Sequence, residues 1–492
     1  MLDNAVYHAN LTRQSIVCHT AAVSFIRQDH VVHLPMRLAR APTAHARDLT
    51  TTQRHLGVTV LLGNTGLMNF GFSVLIPLLA VHFTGRLGFT AASIGLVLAL
   101  RQFSQQGLDL VGGLIGDHFG ARTSIAVGCF VRAAGFAGIG LAHTLGMLIT
   151  FAVVSGIGGA FFDAPSTAAL ADLVPTDRRQ RVYAASATFG NAGVTLGPVV
   201  GVALLGIGFQ AVSLAAAACF VLVGMLTLAF VPATALAGGH IGDSAPTGSS
   251  TRHGLVAAAR AFVTTTRAIA ADRTFVLLTV FLAGFWFLWA QMNITVPLAA
   301  DRLGGPHFVA LAFAINAGPA ILCQYPLARF VGERCAPRHV LAIALAVCAV
   351  GMALAFAGSA AGVFFLGIGL FALARMLIGP VVNTVTADLA PVGMLGAYFG
   401  FGALAVAMGA GFGQYAGGVL YDIAQARHAP LLLSLPLLAF GVGAAYGLLR
   451  LPLAFRPGGH SAPAPRTDAL GVAGSLAAGH GAPASSGTHR FP

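Results

Sequence analysis

The sequence predicts an all-α membrane protein, with twelve transmembrane helices arranged in two six-helix bundles. Three observations carry this. Of the 492 residues, 57% are hydrophobic and 9% charged, with a mean hydropathy of +0.82. A soluble globular chain carries ~25% charged residues. Twelve stretches reach the ~20 mainly apolar residues needed to cross a bilayer. The second half of the chain also repeats features of the first at one fixed offset.

The spans are expected, in order, at 57–82, 91–114, 123–142, 146–170, 183–205, 210–231, 274–299, 307–328, 339–358, 361–387, 396–419 and 430–449. They divide into an N-terminal bundle over 56–232 and a C-terminal bundle over 273–452. Residues 1–55 precede them as a cytoplasmic, partly disordered segment. Residues 233–272 read as a cytoplasmic linker. Residues 453–492, rich in Pro, Gly, Ala and Ser, read as a disordered tail.

Charge sets the orientation. All 27 basic residues are Arg, and Glu333 is the only Glu. With the N-terminus inside, 21 arginines fall on cytoplasmic segments, Arg86, Arg302 and Arg427 fall on outer loops, and Arg101, Arg132 and Arg375 fall within spans. Positive charge favours the cytoplasmic side, so both termini are expected in the cytoplasm. The formal charge of +12 is then a topology signal, and nucleic acid is not an expected partner.

The composition also excludes chemistries. Without Lys there is no P-loop and no Schiff base. The six cysteines are scattered, with no CxxC or Cys/His cluster, so neither a metal site nor a disulfide framework is expected. No nucleophile–base constellation appears, and neither an enzyme nor a cofactor is expected.

Adding 216 maps Gly116-Asp117-His118 onto Gly332-Glu333-Arg334 and Arg122 onto Arg338. It maps Ala171-Asp172-Leu173 onto Ala387-Asp388-Leu389. It also maps Gly193, Gly197 and Gly201 onto Gly409, Gly413 and Gly417. Glycines four apart lie along one helix face and let a neighbouring helix approach closely. Pro198 lies in the same stretch and removes a backbone donor.

These residues resemble a known family. GLIGDHFGART (Gly113 to Thr123) resembles the loop motif of the major facilitator superfamily at Gly113, Asp117, Gly120 and Arg122; His118 and Thr123 depart from it. GVTLGPVVG (Gly193 to Gly201) is similar to the span-5 motif of drug/proton antiporters. LALRQFSQQGL, VRAAGFAGIGLAH, SGIGGAFFDAP and YPLARF resemble the MdtH-type multidrug resistance family. The likeness runs from about residue 54 to 450. It implies the major facilitator fold, alternating access and proton-driven efflux of small organic molecules from a cell inner membrane.

Charges in hydrocarbon are costly and default to functional candidates. At 1.5 Å per residue, Asp109, Arg132 and Asp163 lie about 12, 15 and 13–14 Å above the cytoplasmic edge. Asp163 is the leading proton carrier. The alternatives are a permanent Asp163–Arg132 ion pair or substrate contact. Asp109 stands where the resembled pattern carries Gly. Arg101, Gln105 and Asp109 form a polar stripe on one helix face. Arg101 either holds an outer gate or snorkels outward.

Trp286 and Trp289 lie near mid-span, away from the interfacial belt. With Gln291, Asn293, Asn64, Asn69, Arg101, Gln105 and Arg375 they are candidates for the substrate cavity, and packing or lipid contact is the alternative for the rings. Asp117 and Arg122, with Glu333 and Arg338, are expected to latch the cytoplasmic gate. The expected partners are a small-molecule substrate, protons and the lipid bilayer, and the chain is expected to be a monomer. Export of a metabolite such as a sugar or amino acid is the alternative function. A non-transporting sensor is a further alternative.

Overall fold

The structure, a computed structural model, describes residues 51–175, 178–232, 266–332, 334–358, 360–391 and 394–451. Apart from 51–55 and 266–272, the expected N-terminal segment, linker and tail lie outside the described residues. All regular structure among the described residues is helical. The first half contains α1 (Thr51–Leu87), α2 (Ala91–Phe119), α3 (Ala121–Gly140), α4 (Leu145–Leu173), α5 (Arg179–Leu205) and α6 (Phe209–Phe230). The second contains α7 (Arg273–Ala290), a 3-10 turn (Gln291–Asn293), α8 (Thr295–Gly304), α9 (Pro306–Gly332), α10 (Pro337–Ala355), α11 (Ala361–Leu389), α12 (Leu395–Ala426) and α13 (Leu431–Arg450).

Local chemistry explains the boundaries. Thr90 and Thr144 accept hydrogen bonds from the amides of Ser93 and Met147, and Asp272 accepts from Phe275, so each caps the helix it precedes. Gly120 joins α2 to α3 at φ +87°, a conformation that L side chains rarely adopt.

The span expected at 274–299 is not continuous. Pro297 has no amide hydrogen, and its ring disfavours a helical carbonyl at Asn293. The chain breaks there, with Ile294 at φ −132° and ψ −65°. Gln291 stitches the break: its Nε2 donates to Phe287 O at 2.9 Å and Gly413 O at 3.0 Å, and its Oε1 accepts from Thr295 at 3.0 Å.

By length and apolarity, ten segments among the described residues can cross a membrane, with Arg273–Gly304 as one of them. α2, which holds Arg101 and Asp109, is outside that set, and α9 contributes only a shorter apolar run, Pro306–Ile321. Large apolar side chains also face outward. Val280 is 58% exposed and Leu366 58%, as on helices that meet lipid.

The packing repeats with the sequence. In the first half α1 packs on α5 and α6, α2 on α4, and α3 on α4 and α6. In the second, α7 packs on α12 and α13, α9 on α11, and α10 on α11 and α13. The correspondence reaches single atoms. A methyl group built on Gly135 would meet Ser155 N at 2.6 Å and Phe151 O at 2.8 Å. One built on Gly351 would meet Phe371 N at 2.8 Å and Gly367 O at 2.7 Å. Each of these partners is displaced by 216.

The glycine triplets lie where α5 crosses α1 and where α12 crosses α7. Gly193 presses against Gly66 O and Phe70 N, and Gly409 against Ala283 O and Trp286. Gly197 and Gly413 abut Ser73 and Phe287, and Gly201 and Gly417 abut Val74 and Gln291. Lipid offers no hydrophobic drive between helices, so this close backbone approach is what packing has to work with. Pro198 sits inside α5 between two of these contacts.

The two bundles meet along α2 and α12 and along α5 and α9. Gly95 and Gly418 let the helices touch at Gln414 and Ala91, and Phe103 fills the space over Gly411. The contact uses the N-terminal half of α2 and the C-terminal half of α12. Farther along, Gly107 of α2 and Gly400 and Gly402 of α12 face open space.

Candidate functional site

Two charges of the first bundle, Arg101 and Asp163, are joined through Gln105. Gln105 Nε2 donates to Asp163 Oδ2 at 2.7 Å. Arg101 Nη1 donates to Gln105 Oε1 at 2.8 Å, and its Nη2 donates to Gln102 Oε1 at 2.9 Å. Gln105 thus carries Arg101 to Asp163 across the α2–α4 contact. Arg101 is 3% exposed and lies 4.9 Å from the Phe72 ring centroid, packed inside the bundle instead of extending outward.

Arg132 makes no hydrogen bond to Asp163. Its guanidinium lies 5.6, 5.8 and 5.2 Å from the ring centroids of Phe72, Phe136 and Phe220. Cation–π attraction acts there alongside the charge attraction of nearby Asp163, and Arg132 Nε has no hydrogen-bond partner. Gly159 makes room: a methyl built on it would meet Arg132 Nη1 at 2.6 Å and Gln105 Cδ at 2.8 Å. Asp109, one turn beyond Gln105, has a buried Oδ1 without a partner.

A separate cavity of about 220 Å³ opens in the second bundle between α7, α9 and α11. Trp286, Trp289, Gln324, Arg375, Gly379 and Asn383 line it. The indoles stand edge to face at 5.6 Å. Arg375 Nη2 donates to the backbone oxygen of Asn316 at 3.2 Å, and its Nε is buried without a partner.

The remaining candidates are placed as follows. Asn64 is fully buried and donates to Thr227 at 2.9 Å, which joins α1 to α6. Asn69 donates to Thr65 O at 2.9 Å, beside Gly190. Gln291 is committed to the break after α7, and Asn293 Nδ2 is buried without a partner. None of these four lines the cavity. Arg122 donates to the backbone oxygen of Leu228 near the end of α6, a place that favours cations. Gly113 lies in the last turns of α2, and Arg338, in the first turn of α10, has a partnerless Nε. The Asp117 side chain and Glu333 lie outside the described residues.

Sequence reading missed Asp422. Its Oδ1 accepts from Ala91 N at 3.0 Å and its Oδ2 from Ala92 N at 2.8 Å. An acid of α12 thereby caps α2 across the bundle interface. It also missed Phe72, Gln324, Gly379 and Asn383. A polar side chain within a span flags Gln324 and Asn383, whereas nothing local flags Phe72.

Known proteins give the context. The family description Major Facilitator Superfamily matches residues 61–308. The multidrug resistance protein MdtH of Escherichia coli (strain K12 / DH10B) is 31% identical over 399 residues, covering 81% of this chain and 94% of that protein. A crystal structure of a POT family transporter in complex with 5-aminolevulinic acid superposes with a TM-score of 0.64 at 14% identity, covering 80% of this chain and 94% of that one. A crystal structure of a mutant of the nucleoside transporter NupG gives 0.61 at 13% identity, covering 80% and 99%.

Proposed function

As the chain belongs to the Major Facilitator Superfamily and is an MdtH-like member of it, we propose that it is a proton-coupled exporter of small organic molecules. It works by alternating access across a bacterial inner membrane. The observation that carries the coupling is the hydrogen-bonded line Arg101–Gln105–Asp163, buried at Arg101 and half-buried at the other two. A carboxylate held inside a span, with one neutral donor and no direct cation, is a group whose proton can come and go.

Twelve spans complete this reading, with α7 and α8 forming one and α2 and α9 making up the number. The arginine bias supports cytoplasmic termini. The sealed contact of α2 with α12 then lies outside, and the end beyond Gly107 faces the cytoplasm. Substrate enters from there. Protonation of Asp163 weakens its hold on Gln105, which frees α2 to shift against α4. The same helix carries the N-terminus that Asp422 clasps, so its movement reaches the outer seal. In the outward-facing state Asp117, Arg122, Glu333 and Arg338 close the cytoplasmic side. The chain acts as a monomer, with the bilayer, the substrate and protons as its partners.

The cavity supports a second reading. Its 220 Å³ lies below the ~300–1,000 Å³ of drug-sized pockets, which favours a metabolite-sized cargo over a large drug.

The test is transport of a panel of fluorescent aromatic dyes by purified protein in proteoliposomes under an imposed pH gradient. The gradient is expected to drive dye flux in the wild type and to lose its effect in Asp163→Asn. Wild-type flux indifferent to the gradient would overturn proton coupling, and a fully coupled Asp163→Asn variant would remove Asp163 from that role.

A further inference from the structure

We infer that the cavity of the second bundle is an anion subsite, in which Arg375 receives the carboxylate of a small aromatic acid. The argument begins with the repeat. Displacement by 216 carries Arg132 to Cys348, Gly159 to Arg375 and Asp163 to Gly379. In the first bundle the guanidinium comes from α3 and fills the space left by Gly159 on α4. In the second it springs from α11 at the position of that glycine, and a small thiol next to it occupies the α10 position. Both bundles therefore carry a cation at the matched level.

They differ in the acid. The position one turn beyond Arg375, matched to Asp163, is Gly379, and a methyl built there would meet nothing within 4 Å. Where the first bundle holds a carboxylate, the second holds open space. Among the described residues no carboxylate bonds to Arg375, whose hydrogen bond to Asn316 O leaves most of the guanidinium's donors unused. A guanidinium presents five donors in a fork that matches a carboxylate. The cavity therefore has a receptor for one anionic group and a vacant position for it.

The walls specify the rest of the ligand. Trp286 and Trp289 offer ring faces and edges, which suit an aromatic body. Gln324 and Asn383 add neutral amides that can hold a hydroxyl or amino substituent. At about 220 Å³ the cavity holds one ring system with its carboxylate and excludes large polycyclic cargo.

The chain has only two tryptophans, Trp286 and Trp289, so intrinsic indole fluorescence reports this cavity alone. The experiment titrates full-length protein in nanodiscs with 4-nitrobenzoate and with 4-nitrobenzamide, quenchers of one shape that differ in charge. In the wild type the carboxylate is expected to bind about tenfold or more tighter than the amide, the difference a charge-assisted bidentate contact makes. In Arg375→Gln the carboxylate should fall to the amide's affinity while amide binding is unchanged, which also shows that the variant is folded. Gly379→Asp, which restores the acid within the chain, should likewise abolish the preference.

Equal affinities in the wild type, or a carboxylate preference that survives in Arg375→Gln or Gly379→Asp, would overturn the inference. It rests on the transport reading above, but binding is measured without transport. A carboxylate preference in a protein that moves no solute under a pH gradient would sink the transport reading alone. Gradient-driven dye transport without that preference would sink the anion subsite alone.

Discussion

Replacing Asp422 with Asn should loosen the seal between the bundles at the loop 88–90 end. Asp422 reaches from α12 to the first turn of α2 and accepts two backbone amides, at 3.0 and 2.8 Å. Those amides are orphan donors of a helix N-terminus, and a carboxylate there also meets the positive end of the helix dipole. A hydrogen bond to a charged group is worth about 1.5–3 kcal/mol. Asn keeps one acceptor oxygen, so one bond is lost and the other becomes a neutral one. Asp422 is half-buried, and water can solvate part of what is released, so the net loss is about 2 kcal/mol. That changes the closed-to-open ratio about 30-fold. A state closed ~97% of the time would then be open about half of it. Spin labels at Arg86→Cys and Arg427→Cys on a cysteine-free background, read by pulsed dipolar spectroscopy, should gain a second, longer distance in Asp422→Asn and more of it in Asp422→Ala. Distance distributions identical to the wild type in both variants would refute the clasp as a determinant of closure.

Two further outcomes follow from the same geometry. Gln105→Leu removes the 2.7 Å donor to Asp163 and the 2.8 Å acceptor of Arg101; leaving buried polar groups unpaired costs ~1–3 kcal/mol each, so gradient-driven flux should drop about tenfold or more, and undiminished flux would show that the link is idle. Gly193→Val puts side-chain atoms where Gly66 O and Phe70 N already sit; overpacking of ~1–3 kcal/mol should lower the midpoint of thermal unfolding in detergent by several degrees, and an unchanged midpoint would remove the glycine seam from the account of stability.

The scaffold was the legible part. Apolar runs and glycines are properties of single positions, and an all-helical membrane chain with an internal repeat can be read from them directly. The atomic match between Gly135 and Gly351 was implicit in the offset, because a repeated small residue demands a repeated neighbour. What a side chain does with its partner was less legible. The mid-bilayer level of Asp109, Arg132 and Asp163 suggested carboxylate–guanidinium pairs. The structure gives Asp163 a glutamine and surrounds Arg132 with phenylalanines, because Phe72, Phe136 and Phe220 come from three different helices that only the fold brings together. Asp422 left no trace in the sequence, since its partners are backbone amides 330 and 331 residues away. The interruption at Ile294 could have been read from Pro297, which lies within an expected span and breaks the hydrogen-bond ladder one turn earlier.

One helix joins the parts that matter. Ala91, whose amide Asp422 holds, and Gln105, which holds Asp163, are 14 residues apart on α2, about 21 Å along an unbroken helix. An α-helix of that length moves as a rigid body, so any tilt that satisfies one end is felt at the other. In the second bundle α9, the counterpart of α2, carries Pro319 and Pro326 inside it, and α7 is broken at Ile294. The charges follow the same division. The acid sits on α4, two residues before Pro165, and its bridging glutamine on the proline-free α2, whereas Arg375, which bonds to no carboxylate among the described residues, sits on α11 in a cavity also walled by α7 and α9. A repeated scaffold thus carries unrepeated charges: in the first bundle a carboxylate held by a glutamine, and in the second a guanidinium that bonds to no carboxylate among the described residues.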